Sequence, residues 1–146
     1  MNQKSEQPLL IIEDSDEDFA ALARIISKAK IANPIYRCED GEEALEFLHH
    51  EGPYQDVTRS PRPYLIVLDL NLPGIDGREV LADLKQDFQL KTIPVVILTT
   101  SSNPKDIEVC YLNGVNGYIV KPMDVKRLQR SIQIFLDYWF EAVELP

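Results

Sequence analysis

Apolar positions along this chain fall into two alternating patterns. Short continuous runs, such as Leu9-Leu10-Ile11-Ile12, Leu65-Ile66-Val67-Leu68 and Val95-Val96-Ile97-Leu98, alternate with longer stretches where apolar residues recur at helical spacing. Continuous runs of four to six bounded by turn residues are what strands buried on both faces look like. They predict strands over 9–12, 64–68 and 93–98, and the short segments Ile35-Tyr36-Arg37-Cys38 and Gly117-Tyr118-Ile119-Val120 read as two more strands, at 35–38 and 117–120. The first helix opens at Ser15, a good N-cap followed by Asp16, Glu17 and Asp18, carries Phe19, Leu22, Ala23 and Ile26, and runs to about residue 30. A second begins at Asp40-Gly41 with Ala44, Leu45, Phe47 and Leu48 inward, and a third at Asp76, where Glu79 completes a capping-box pattern. Asn103-Pro104 starts a fourth, stopped by Asn113-Gly114; the fifth spans about 124 to 143, with Val125, Leu128, Ile132, Phe135 and Trp139 as its core stripe. Between the second helix and third strand, residues 51–63 hold Gly52, Pro53, Pro61 and Pro63 and form an unusually long loop.

Strands and helices alternating in this way imply an α/β fold with a parallel sheet covered on both faces. Carboxyl ends of parallel strands share one edge, where ligands of open α/β folds bind. The first run ends in Glu13-Asp14, the one at 64–68 in Asp69, the one at 93–98 in Thr99 and the last in Lys121. Three clustered carboxylates repel one another unless a cation sits among them. Hard carboxylate oxygens suit Mg²⁺, which characteristically combines one or two carboxylates with waters and a phosphoryl oxygen. Thr99 and Lys121 would hold the remaining oxygens of a tetrahedral anion. The arrangement reads as a phosphoryl-transfer site in which Asp69 is the nucleophile and an aspartyl phosphate the product.

Ile-Glu-Asp at 12–14, Leu-Asp-Leu-Asn-Leu-Pro-Gly at 68–74, Asp-Gly at 76–77, Leu-Thr-Thr at 98–100 and Gly-Tyr-Ile-Val-Lys-Pro at 117–122 occur in an order and spacing that resemble the receiver domain of two-component response regulators. The likeness covers about residues 8–140. The acidic opening at 13–18, the loop at 51–63, Gly-Arg-Glu-Val-Leu at 77–81 and the aromatic tail look most like the stand-alone regulators paired with cyanobacterial and bacterial phytochromes. The resemblance implies a doubly wound, flavodoxin-like, five-stranded sheet of order 2-1-3-4-5 with five helices. It implies phosphorylation of Asp69 by a histidine kinase of phytochrome type. Mg²⁺, with Mn²⁺ as a substitute, would be held by Asp14, Asp69 and the backbone carbonyl of Asn71, with Glu13 acting through water. Lys121 would pair with a phosphoryl oxygen, and its peptide bond to Pro122 would be cis. Thr99 and Tyr118 would be the switch residues. Two positions depart from the usual pattern: Glu13 stands where many members have Asp, and Thr100 where a very small residue is usual, which bears on phosphoryl lifetime.

Other features narrow the function. A formal charge of −9 and a sequence pI near 4.7 argue against nucleic acid or an anionic membrane as partner. The apolar run at 9–12 is too short for a signal peptide or membrane span, so a cytoplasmic protein is expected. Cys38 and Cys110, the only cysteines, lie in apolar-leaning segments and read as buried thiols. Adjacent His49 and His50 cannot face one another on a helix and read as exposed residues at its C-terminal end. The expectation is one receiver domain over 1–146, with residues 1–7 a polar lead-in, 141–146 a tail, and nothing after the fifth helix to build an output module. The resemblance implies a phospho-accepting signalling protein rather than an enzyme, relaying its state through the fourth helix, last strand and fifth helix. That helix is apolar on more of its girth than one core covers, with Ile134, Tyr138 and Phe140 beyond the stripe, which suggests homodimerisation. Two alternatives stand beside this reading. A receiver-fold adaptor would never take phosphate and would not respond to beryllofluoride. An aspartyl-nucleophile phosphatase would need a general acid where Asn71 stands, and would turn over a chromogenic phosphate ester.

Overall fold

The computed structural model describes residues 3–146. The five strands are β1 (Leu9–Ile12), β2 (Ile35–Cys38), β3 (Leu65–Leu68), β4 (Val95–Thr99) and β5 (Gly117–Val120). They form one parallel sheet of order β2-β1-β3-β4-β5. Around it lie α1 (Asp16–Ala29), α2 (Gly41–His49), α3 (Gly77–Gln86), α4 (Pro104–Leu112) and α5 (Val125–Asp137). Alternation along the strands divides the core in two. Leu10, Ile12, Ile66, Leu68 and Ile97 face α2 and α3, whereas Leu9, Ile11, Leu65, Val67 and Leu98 face α1 and α5. All four β1 side chains and three of those in β3 are fully buried, each contributing about 1.5–3 kcal/mol relative to exposure.

Each α-helix is capped by a side-chain oxygen accepting a backbone N–H: Ser15, Asp40, Asp76, Asn103 and Asp124. Such caps are worth about 1 kcal/mol apiece. The capping box expected at Asp76 is not reciprocal. Asp76 accepts from Arg78 N and is drawn further by the Arg78 guanidinium, while at α2 it is Glu43 that reaches back, to Glu39 N at 2.6 Å.

Several local expectations are corrected. β4 begins at Val95, because Ile93 closes a turn onto Leu90 O before the proline. α5 ends at Asp137 and widens into a π-helical turn, Tyr138–Ala142. Its carbonyl at Trp139 accepts a 2.8 Å hydrogen bond from the Tyr64 hydroxyl, and the wider turn lays Trp139 and Phe140 together on the core. Phe140, expected to face a partner, instead stacks on Tyr64 with ring centroids 5.2 Å apart. Val125, expected in the core stripe, is exposed at the first turn of α5. No described peptide bond is cis, so Lys121–Pro122 is trans, the isomer an X–Pro bond favours by about 0.5–1 kcal/mol.

The lead-in is tied down from Gln3–Glu6, a 3-10 turn, whereas Met1 and Asn2 lie outside the described residues. Asn33 Nδ2 donates to the carbonyls of Lys4 and Gln7, and Lys4 Nζ reaches the Leu145 carbonyl. The long loop is stapled as well: His50 Nδ1 lies 2.9 Å from the hydroxyl of fully buried Ser60, which donates to Tyr54 O. His49, expected to be exposed, is half-buried and joins α2 to α3 through Asp83 at 2.6 Å. Cys38 and Cys110 are free and buried, and burial raises both thiol pKa values. Among the described residues no helix is long and apolar enough to cross a membrane.

Candidate functional site

Strand register builds the site. Ile12 pairs with Leu68 across β1 and β3, so Glu13 and Asp69 leave the sheet side by side, and Asp69 N donates to Ile12 O at 3.1 Å. Across β4 and β5, Thr99 is level with Val120, and Lys121 N donates to Thr99 O at 2.6 Å. Chain direction at the strand ends thus delivers the acids, the hydroxyl residue and the ammonium to one edge, as expected for a parallel sheet.

Oxygens of Glu13, Asp14 and Asp69 lie within 4.8 Å of one another. Glu13 and Asp69 are buried, at 5% and 7% exposure, whereas Asp14 faces solvent. Lys121 Nζ donates to Asp69 Oδ2 at 3.0 Å, Glu13 Oε1 at 2.5 Å and Asp18 Oδ2 at 3.0 Å. Asp69 Oδ1 accepts from Asn71 N, which curls the chain after β3 around the carboxylate. Gly77 closes that curl: its N–H donates to Leu70 O, and a Cβ there would lie 2.2 Å from Asp69 O. Thr99 is fully buried at the end of β4, while Thr100 is exposed.

Charge is unevenly matched here. Burial, reinforced by the Asp69 charge, outweighs the Lys121 contacts and pushes the Glu13 carboxyl from 4.5 up to about 7. Burial alone would lower the pKa of Lys121, but hydrogen bonds and charges of Glu13 and Asp69 overcome it and raise that pKa. One ammonium cannot neutralise four carboxylates, and the excess of hard oxygen donors fits a divalent cation such as Mg²⁺ or Mn²⁺.

The family profile for the response regulator receiver domain matches residues 9–133. This chain belongs to the response regulator receiver family. Response regulator Rcp1 of Synechocystis sp. is 42% identical to it, the match covering 100% of this chain and 99% of that protein. The crystal structure of the Mn(2+)-bound form of Rcp1 superposes with a TM-score of 0.90 at 42% identity, over 96% of this chain and 99% of that one. The phosphorylated cyanobacterial phytochrome response regulator RcpA gives a TM-score of 0.90 at 37% identity, over 97% and 99% respectively.

Around the receiver's acidic edge the structure adds residues that sequence reasoning passed over. Asp18 had the look of a solvated helix start, yet from the first turn of α1 it reaches Lys121. Asp14 precedes the N-cap Ser15 and lies outside the helix, so no helical spacing signalled the role of Asp18. Arg78 bridges the cap of α3 to the first turn of α4: Nη1 donates to Asp76 at 2.9 Å, Nη2 pairs with Asp106 at 2.9 Å. Asp106 also accepts from the Ser101 hydroxyl at 2.6 Å, and Ser101 and Arg78 together lower its pKa. Tyr118, the other expected switch residue, is half-buried on β5 and donates to Ser101 O at 2.9 Å. Ser101 N in turn lies 3.5 Å from Thr99 Oγ1. No spacing rule links an arginine in one helix to an aspartate 28 residues later, so this network was not legible in the sequence.

On the opposite flank Arg37, from the end of β2, donates from Nε to Glu13 O and pairs with Asp16 at 2.8 Å. Its guanidinium also lies over the Phe19 ring, which fixes the β1–α1 connection that carries Glu13 and Asp14.

Proposed function

We propose that residues 1–146 act as a single phospho-acceptor switch, in which Asp69 takes a phosphoryl group from a histidine kinase in a Mg²⁺-dependent reaction. The observation that carries this is the grouping of Glu13, Asp14 and Asp69 oxygens within 4.8 Å, with Lys121 on Asp69 itself. An Asp69 carboxylate oxygen forms the new bond to phosphorus as the phosphorus–nitrogen bond of the phosphohistidine breaks. The imidazole leaves with the electron pair and regains its proton from solvent. Asp14 and Asp69, with the Asn71 carbonyl, would hold the divalent ion, and Glu13 would orient a water on it; Mn²⁺ would substitute. Bound there, the ion supplies positive charge for the equatorial oxygens of the transferring group. Lys121 and the Thr99 hydroxyl take the remaining oxygens.

The names of the similar proteins, Rcp1 and the phytochrome response regulator RcpA, support a phytochrome-type kinase as donor. Phosphorylation adds about two negative charges at the end of β3. Thr99 then moves toward the phosphoryl group and Tyr118 follows, changing the surface of α4, β5 and α5. Exposed Tyr111, Val120, Ile134 and Tyr138 on that surface support its use as a homodimer contact. A cytoplasmic location is part of the same reading. The test is transfer of labelled phosphate from a cognate kinase in Mg²⁺. Wild-type chain takes the label and Asp69→Asn takes none; equal labelling of the variant removes Asp69 from its role.

A further inference from the structure

A lysine ammonium has three N–H donors, and in Lys121 all three are engaged. They go to Glu13 at 2.5 Å, Asp69 at 3.0 Å and Asp18 at 3.0 Å. A phosphoryl group on Asp69 can therefore be gripped by Lys121 only if one partner lets go. Glu13 is buried and held from a second side by Ser15 N at 3.2 Å. Asp69, once phosphorylated, keeps its place through its backbone and the Asn71 N–H and passes its one N–H from Lys121 to the phosphoryl group. A second grip on that dianion must come from Glu13 or Asp18. Asp18 differs from both. Its side chain is 51% exposed, and its carboxylate has Lys121 as its one ion-pair partner among the described residues. Water re-solvates a half-exposed carboxylate far more readily than a buried one. Asp18 is thus the partner that leaves, and Lys121 exchanges an aspartate oxygen for a phosphoryl oxygen.

We propose that Asp18 is a positioning residue that competes with the phosphoryl group for Lys121, so that the first turn of α1 sets how firmly the receiver holds phosphate. This rests on the phospho-acceptor reading of Asp69. The role belongs to Asp18 and not to acidic charge in general: Glu17, its neighbour in the same turn, is exposed and forms no ion pair among the described residues.

The test is an equilibrium one: beryllofluoride titration in saturating Mg²⁺, followed by fluorine NMR, on wild type, Asp18→Ala, Asp18→Glu and Glu17→Ala. Asp18→Ala is expected to bind about three- to fivefold tighter, the upper part of the range for loss of one partly exposed ion pair. Asp18→Glu, which can restore the contact, should return toward the wild-type value, and Glu17→Ala should stay within about twofold of it. Equal tightening by Asp18→Ala and Glu17→Ala would show bulk charge alone and overturn the assignment. Unchanged or weaker binding by Asp18→Ala would also overturn it, since Asp18 would then be supporting Lys121. A wild-type chain that binds no beryllofluoride would contradict the phospho-acceptor reading itself, and this inference with it.

Discussion

At the scale of single residues, the constraint on Asp69 comes from its neighbours' lack of bulk as much as from their charge. Gly77 packs so closely beneath the β3–α3 connection that any Cβ meets Asp69 O at 2.2 Å and Leu70 Cα at 2.6 Å. Backbone is in the way on both counts, so the connection itself must shift. Gly77→Ala is expected to lose about 2 kcal/mol of stability in urea denaturation, with weaker divalent-ion binding, because the displaced segment carries Asp69. A wild-type midpoint would contradict the packing described. Tyr54 gives a pH-dependent counterpart in the loop after α2. Burial, then the hydrogen bond donated to Glu43, raises its phenol from 10.0 to about 12. A raised folded-state pKa stabilises the protonated form, so this contribution is full below pH 10 and is lost as pH rises through 12. The wild-type stability advantage over Tyr54→Phe should vanish across that window; a pH-independent difference would argue against the Glu43 bond.

Between elements, Arg78 links the Asp69 side of the sheet to α4. It joins the α3 cap to Asp106, which holds Ser101 and, through the Ser101 carbonyl, Tyr118. Arg78→Met should destabilise by about 1 kcal/mol, as partly exposed ion pairs do. Its more telling effect should be faster amide exchange within Pro104–Leu112, measured by hydrogen exchange; unchanged exchange there would show α4 to be held by packing alone. Element existence was largely legible in the sequence. Continuous aliphatic runs placed β1 and β3, short β-prone segments between turn residues placed β2 and β5, and capping residues placed the starts of all five helices, since these signals are local. The end of α5 was not, because a tyrosine 75 residues earlier draws out the Trp139 carbonyl. The same limit applied to the site. Strand ends could be aligned from the pattern, but Asp18, Arg78 and Asp106 take their roles from contacts across elements that no periodicity encodes.

Over the whole molecule, net charge and the exposed apolar residues of the α4–β5–α5 surface act in opposite directions on self-association. A formal charge of −9 opposes self-association, while exposed Ile134 on α5 and Tyr138 on the π-helical turn after it, beside the open edge of β5, favour it. Homodimers should therefore strengthen with salt in sedimentation equilibrium, and Ile134→Glu should leave monomers at concentrations where wild type pairs. An unaffected dimer would place the contact elsewhere. The central claim is that one carboxylate at the end of β3 receives phosphate with the help of the acids around it. Its most direct test is peptide mapping of the labelled protein after transfer from a histidine kinase, with and without a chelator. Label confined to the peptide containing Asp69, and lost when divalent ions are removed, is the predicted result; label on another residue, or label indifferent to the chelator, would contradict it.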